Sequence, residues 1–255
     1  MYPRFMSTPA EPGLKELQSK VTFYRRLTIG LALLVAFLAM VVIAQLTGSG
    51  QEKAPLADKP AAAESPAGAA QDAPYIRRDA DDPMAIGDVD APVVLVQWTD
   101  MRCPFCAAVH RDTLPTVIQE YVDSGKVRLE LNDVSFFGEE SETAAVAARA
   151  AAAQDMYFEY LDAVFGAAPG TGHAELPREK LIAFAEEVGI PDIAKFTADL
   201  DDPALRTAVQ TSTAEAQRLG VSAVPFFVAD GTALSGAQPI AIFRDFLDNA
   251  VDSKG

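Results

Sequence analysis

The chain has two cysteines, Cys103 and Cys106, three positions apart. A bridge between them closes almost no loop, so it would add little as a staple against unfolding. Thiol–disulfide exchange does need that spacing: one thiolate attacks, and a second thiol close by resolves the mixed disulfide. Cys103 stands where a helix should begin, and Pro104 suits the first turn because its missing N–H costs nothing there. Unpaired N–H groups at such a terminus favour a thiolate. These points make Cys103 the expected exposed nucleophile and Cys106, one turn in, the shielded resolving thiol. Arg102 is adjacent in sequence and would add positive potential if it faced the sulfur. A zinc site would need both cysteines and both histidines, His110 and His173. Structural zinc sites usually come as paired motifs, so no metal is expected. An inert buried thiol pair is the other bland alternative.

The elements that must position this pair are legible around it. Val93-Val94-Leu95-Val96-Gln97-Trp98 reads as a strand buried on both faces, with Trp98 as core packing. A helical pattern follows the cysteines through Val109, Leu114, Val117, Ile118, Tyr121 and Val122. Pro115 should kink that helix, Gly125 should end it, and Val127–Leu131 reads as the next strand. Beyond it the sequence turns helical. The alanine run Ala144–Ala153 continues into Met156, Phe158, Leu161, Val164 and Phe165 as one helix. Another carries Leu181, Ile182, Phe184, Ala185 and Val188 up to Gly189. A third starts at Asp202-Pro203 and stops at Gly220. Strands return at 226–229 and 232–234 around Asp230-Gly231, a strong hairpin signal, and a last helix carries Ile242, Phe243, Phe246 and Leu247.

Residues 27–46 form a twenty-residue apolar run, long enough to span the roughly 30 Å hydrocarbon core. Five basic residues and two acidic ones precede it, a net of +3. The positive-inside tendency then predicts a cytoplasmic tail over 1–26, a transmembrane signal-anchor at 27–46 in the lipid bilayer, and everything later extracytoplasmic. The competing reading is a cleaved signal peptide. Its apolar region would be shorter, and it would end in a small-x-small site that Ile43–Thr47 does not offer. Residues 47–74, rich in Ala, Pro, Gly and Ser, read as a flexible linker, leaving 75–255 as the folded domain. The formal charge of −15 argues against nucleic acid as a partner.

Asp100-Met101-Arg102-Cys103-Pro104-Phe105-Cys106, followed by His110 and Leu114-Pro115, resembles the active-site region of the DsbA-like bacterial disulfide oxidoreductases. Gly220-Val221-Ser222-Ala223-Val224-Pro225-Phe226-Phe227 is similar to that family's second signature, and Ser235-Gly236-Ala237-Gln238-Pro239 also matches. The likeness runs from Tyr75 to Asn249. It implies an α/β thioredoxin-like fold with an all-helical insertion at about 139–219. It implies dithiol–disulfide exchange on unfolded or reduced exported proteins, with no cofactor and with reoxidation by a quinone-linked membrane partner of the DsbB or vitamin K epoxide reductase type. Pro225 would be cis, and Val224, Pro225, Pro104 and Phe105 would meet the substrate.

Departures from the pattern matter. Phe105 stands where the strongest oxidants carry histidine and cannot hydrogen-bond a thiolate, which implies a milder oxidant. Gln97 stands where relatives often have a buried acid and cannot titrate, so a proton relay is absent or has moved, to Asp100 or to water. Asp100 reads equally as a loop-capping carboxylate. His110 either faces the cysteines or is a satisfied helix histidine. Net oxidation is the leading expectation. A reductase or isomerase would use the same cysteines in the other direction, and a non-catalytic tethered chaperone or metallochaperone is the alternative from a different class.

Overall fold

The computed structural model describes residues 73–254. The anticipated anchor at 27–46, its cationic flank and the linker up to residue 72 lie outside the described residues. Among the described residues no helix is long and apolar enough to cross a membrane.

Strand β2 (Val93–Thr99) is buried along its whole length, in keeping with its near-continuous apolar run, and lies at the middle of a five-stranded sheet of order β1-β3-β2-β4-β5. It pairs in parallel with β3 (Val127–Asp133), Val93 opposite Val127 and Thr99 opposite Asp133. On its other side runs antiparallel β4 (Phe226–Ala229), with Trp98 opposite Phe226. β4 turns into β5 (Thr232–Ser235) through Asp230 and Gly231, both at positive φ, as the sequence predicts. Trp98 sits in the core between Tyr75 and Phe226, with ring centroids at 5.5 and 5.9 Å.

β1 (Ala85–Ile86) is an edge strand of two residues that escapes a pattern search, because so short a segment shows no alternation. Its neighbourhood is held by a buried ion pair on β3. Glu130 accepts the Arg77 and Arg78 backbone N–H groups at 2.8 and 2.9 Å and the Arg128 guanidinium at 3.0 Å. Arg128 also donates to the carbonyls of Gly87, at 3.1 Å, and Asp79.

The helix after the cysteines is shorter than expected. α1 (Pro104–Asp112) stops at Thr113, and α2 (Leu114–Val117) runs on into a π-helical turn, Ile118–Val122. Pro115 has no N–H to give the ladder, and the Thr116 and Val117 amides both fall back on the Thr113 carbonyl, at 3.1 Å. The predicted continuous helix over 144–165 is likewise two: α3 (Glu139–Ala152) and α4 (Tyr157–Gly166). Asp155 is left-handed between them, at φ 58°, and reverses the chain. The insertion continues through α5 (Arg178–Val188), α6 (Ile193–Asp199) and α7 (Pro203–Arg218). α6, capped by Asp192 on the Lys195 amide at 2.8 Å, is too short to show a period and was not anticipated. The alanines of α3 are all buried, and Ala145 and Val146 pack on Val209 and Leu205 of α7. The final helix, α8 (Ile240–Asp252), buries Phe243, Phe246 and Leu247.

Candidate active site

Strand β2 ends at Thr99, and Asp100 begins the turn that launches α1. The Asp100 carbonyl accepts from the Cys103 amide at 3.0 Å, and the Cys103 carbonyl takes the first helical bond, from Ala107, at 3.1 Å. Cys103 is therefore the N-cap, with extended backbone and Pro104 just inside the helix. Its sulfur accepts the Cys106 backbone N–H at 3.4 Å, so a helix-terminal donor is aimed at it.

Both cysteines are free thiols. Cys106 is fully enclosed, as expected, but Cys103 is not the exposed residue that was anticipated: it is 2% accessible. The reason is the loop before β4. The Val224–Pro225 bond is cis, as the resemblance implied, and the Val224 carbonyl covers the Cys103 sulfur at 3.5 Å. Exposure belongs instead to Phe105, at 63%, which projects from the same helical turn.

The two thiols differ sharply in acidity. Cys103 is lowered to about 7, first by a hydrogen bond from the Cys106 thiol and then by the Cys106 and Phe105 backbone N–H groups; burial and the Asp100 charge oppose this. Cys106 is pushed well above the ordinary thiol range, first by burial and then by its interaction with Cys103. At neutral pH the pair can therefore hold one thiolate at the helix terminus and one protonated thiol beneath it.

Of the other residues singled out in the sequence, Asp100 belongs to this site and two do not. The Asp100 carboxylate is buried, and burial raises its pKa against the pull of its donors. One oxygen accepts the Arg102 amide at 2.9 Å and the Ser141 hydroxyl at 2.8 Å; the other accepts the Phe136 amide at 2.8 Å. Those bonds tie the cysteine turn to the β3–α3 connection and to the first turn of α3, the work of a loop-capping carboxylate. Arg102 turns its side chain to other partners than the Cys103 sulfur. Its guanidinium is spent on the carbonyls of Ala174, at 2.7 Å, and Phe137, at 2.8 Å, and on Glu140, at 2.9 Å. His110 is only half satisfied: Nε2 meets Asp162 at 2.7 Å and the ring packs on Phe165 with centroids 4.9 Å apart, while its buried Nδ1 has no hydrogen-bond partner. Burial lowers its pKa more than Asp162 raises it.

Sequence reading missed the donors Phe136 and Ser141, which arrive from a distant part of the chain and left no local signal. It also passed over Thr99. Alternation along β2 puts Thr99 on the same face as Gln97, a signal that was available. Both are buried, and each has a side-chain oxygen without a well-formed hydrogen bond.

Residues 79–249 match the family model described as thioredoxin. Over 151 residues, 58% of this chain and 69% of the relative, the sequence is 28% identical to the "Probable disulfide bond formation protein D" of Bacillus anthracis. The crystal structure of oxidised BdbD from Bacillus subtilis superposes with a TM-score of 0.62 at 20% identity, covering 68% of this chain and 94% of that one. A thioredoxin-like oxidoreductase from Silicibacter pomeroyi DSS-3 superposes with a TM-score of 0.56 at 28% identity, over 68% of this chain and 94% of its own.

Proposed function

Because the chain belongs to the thioredoxin family, on its DsbA-like side, we propose that it is a protein disulfide oxidoreductase that introduces disulfides into exported proteins through Cys103 and Cys106. The observation that carries this reading is the geometry of one helical turn. Cys103 caps α1 with its sulfur on the Cys106 amide at 3.4 Å, cis Pro225 follows the Val224 carbonyl that covers it, and Cys106 is enclosed. That arrangement lowers Cys103 to about 7 and pushes Cys106 up. In the oxidised enzyme a substrate thiolate attacks the Cys103 sulfur. The Cys103–Cys106 bond breaks, a mixed disulfide forms at Cys103, and Cys106 leaves with the electron pair and takes a proton. A second substrate thiolate then attacks the substrate sulfur of the mixed disulfide. It closes the substrate's own bridge and releases Cys103 as the more stable thiolate of the pair. Two electrons have passed from substrate to enzyme.

A leaving thiolate stabilised near neutral pH favours the reduced enzyme and so drives oxidation of the substrate. With Phe105 supplying no hydrogen bond, the driving force is milder than a histidine in its place would give. Phe105 and the backbone of Val224 support a substrate presented as an extended, partly apolar chain, which suits unfolded secreted proteins. The reading places the domain outside the cytoplasm, held by 27–46 near a quinone-linked membrane partner of the DsbB or vitamin K epoxide reductase type. Tethering of this kind raises the effective concentration of such a partner.

Trapping tests the assignment of roles. Cys106→Ala should accumulate covalent mixed disulfides with reduced model substrates through Cys103, seen as thiol-sensitive adducts by mass spectrometry. Adducts that form instead on Cys106 of a Cys103→Ala protein, and not on Cys103, would reverse the roles.

A further inference from the structure

A thiolate leaving into a sealed pocket needs a hydrogen-bond donor waiting for it, and the side chains around the cysteines narrow the choice. Asp100 has both carboxylate oxygens occupied by Arg102, Phe136 and Ser141. Arg102 is bound to Ala174, Phe137 and Glu140, and His110 to Asp162. Gln97 leaves over its side-chain oxygen, which accepts and cannot donate. Thr99 is different. It is fully buried at the end of β2, one residue before the cysteine turn, and its backbone is fixed by the Val134 amide at 2.9 Å. Its hydroxyl has no hydrogen-bond partner, and Thr99 counts among the groups that favour the Cys106 thiolate against burial. A buried hydroxyl left in that condition is costly, and folds normally satisfy it. A hydroxyl hydrogen rotates to suit its surroundings, so it can stay uncommitted in one redox state and engage in another.

We propose that the Thr99 hydroxyl donates its hydrogen bond to the Cys106 sulfur as that sulfur leaves Cys103, holding the buried thiolate until it is protonated. The inference rests on the exchange reaction proposed above and assigns it a further residue. Thr99 keeps its own proton throughout. The proton Cys106 finally takes up balances the one shed when the substrate thiol ionised. The backbone of Asp100 assists from the same turn, and Cys103 is the partner from which the sulfur departs.

The test is Thr99→Val, which removes the hydroxyl at nearly constant volume. Reduction of the Cys103–Cys106 disulfide by glutathione at neutral pH should slow about tenfold, the scale of one hydrogen bond to a charged group. In a Cys103→Ala background, the ultraviolet thiolate absorbance of Cys106 should appear at higher pH in the valine protein than with threonine. Thr99→Ser should restore both, which a purely packing role for Thr99 would not produce. Should Thr99→Val fail to fold, Thr99→Ala carries the same expectations. An unchanged reduction rate, or a serine protein that behaves like the valine one, overturns the inference while leaving the oxidoreductase reading intact. A wild-type protein that exchanges nothing with glutathione overturns both.

Discussion

At the β1 edge of the sheet, Arg128 and Glu130 are as deeply buried as the two cysteines at the head of α1. Their hydrogen bonding is of the opposite kind. Glu130 receives two backbone amides and a guanidinium, and Arg128 donates two further N–H groups to two carbonyls. Desolvating both charges is offset because each is paired and further hydrogen-bonded. At the cysteines the contacts are long, 3.4 Å to an amide and 3.5 Å to a carbonyl, and the Gln97 and Thr99 oxygens nearby are left over. The first place is wired to hold one state. The second must serve a disulfide, a thiolate and a mixed disulfide in turn, and unspent hydrogen bonds let it change state without dismantling the fold.

Substitution should separate the two regions cleanly. The largest effect on chemistry is expected from Cys103→Ser, which should lower substrate oxidation to background, a loss on the order of a thousandfold or more. Its thermal unfolding in the reduced state should stay close to that of the wild type. A large fall in stability would mean that the cysteine turn is structural after all. Glu130→Ala should do the converse. Leaving Arg128 buried without its partner should cost about 3–5 kcal/mol, read from denaturant unfolding. In the fraction that remains folded, Cys103 should still titrate near 7. A shifted Cys103 would join the two sites that are held here to be separate.

Asp100→Asn sharpens the boundary, because this carboxylate is wired like Glu130 but sits beside Cys103. The amide cannot accept on both sides, so the bond from the Phe136 or the Arg102 backbone amide should be lost at a cost of about 1–3 kcal/mol. The Asp100 charge raises the Cys103 pKa, so removing it should move the Cys103 midpoint below 7. Thiol titration checks the sign: an upward move would mean that loosening of the turn outweighs the missing charge.

The sequence announced those parts of this arrangement that rest on local chemistry. The apolar run of β2, the proline inside the first turn of α1 and the Asp230-Gly231 turn each carry their reason in adjacent residues. The cysteine pair and cis Pro225 were placed through spacing and resemblance. Tertiary decisions were illegible. Nothing near Cys103 in the sequence says that the Val224 carbonyl will cover its sulfur, and nothing near Asp100 names Phe136 or Ser141 as donors. Arg102 and His110 were attractive by proximity in sequence. Each turned toward the helical insertion, where carbonyls and carboxylates engage it. The left-handed Asp155 that splits one predicted helix into two is likewise invisible to periodicity.

Site-resolved alkylation of the reduced protein across pH, with each cysteine followed separately by mass spectrometry, addresses the acidity gap most directly. Cys103 should gain reactivity with a midpoint near 7, while Cys106 stays unreactive until far more alkaline pH. Two thiols reacting at the same slow rate, with a shared midpoint in the ordinary thiol range, would contradict it.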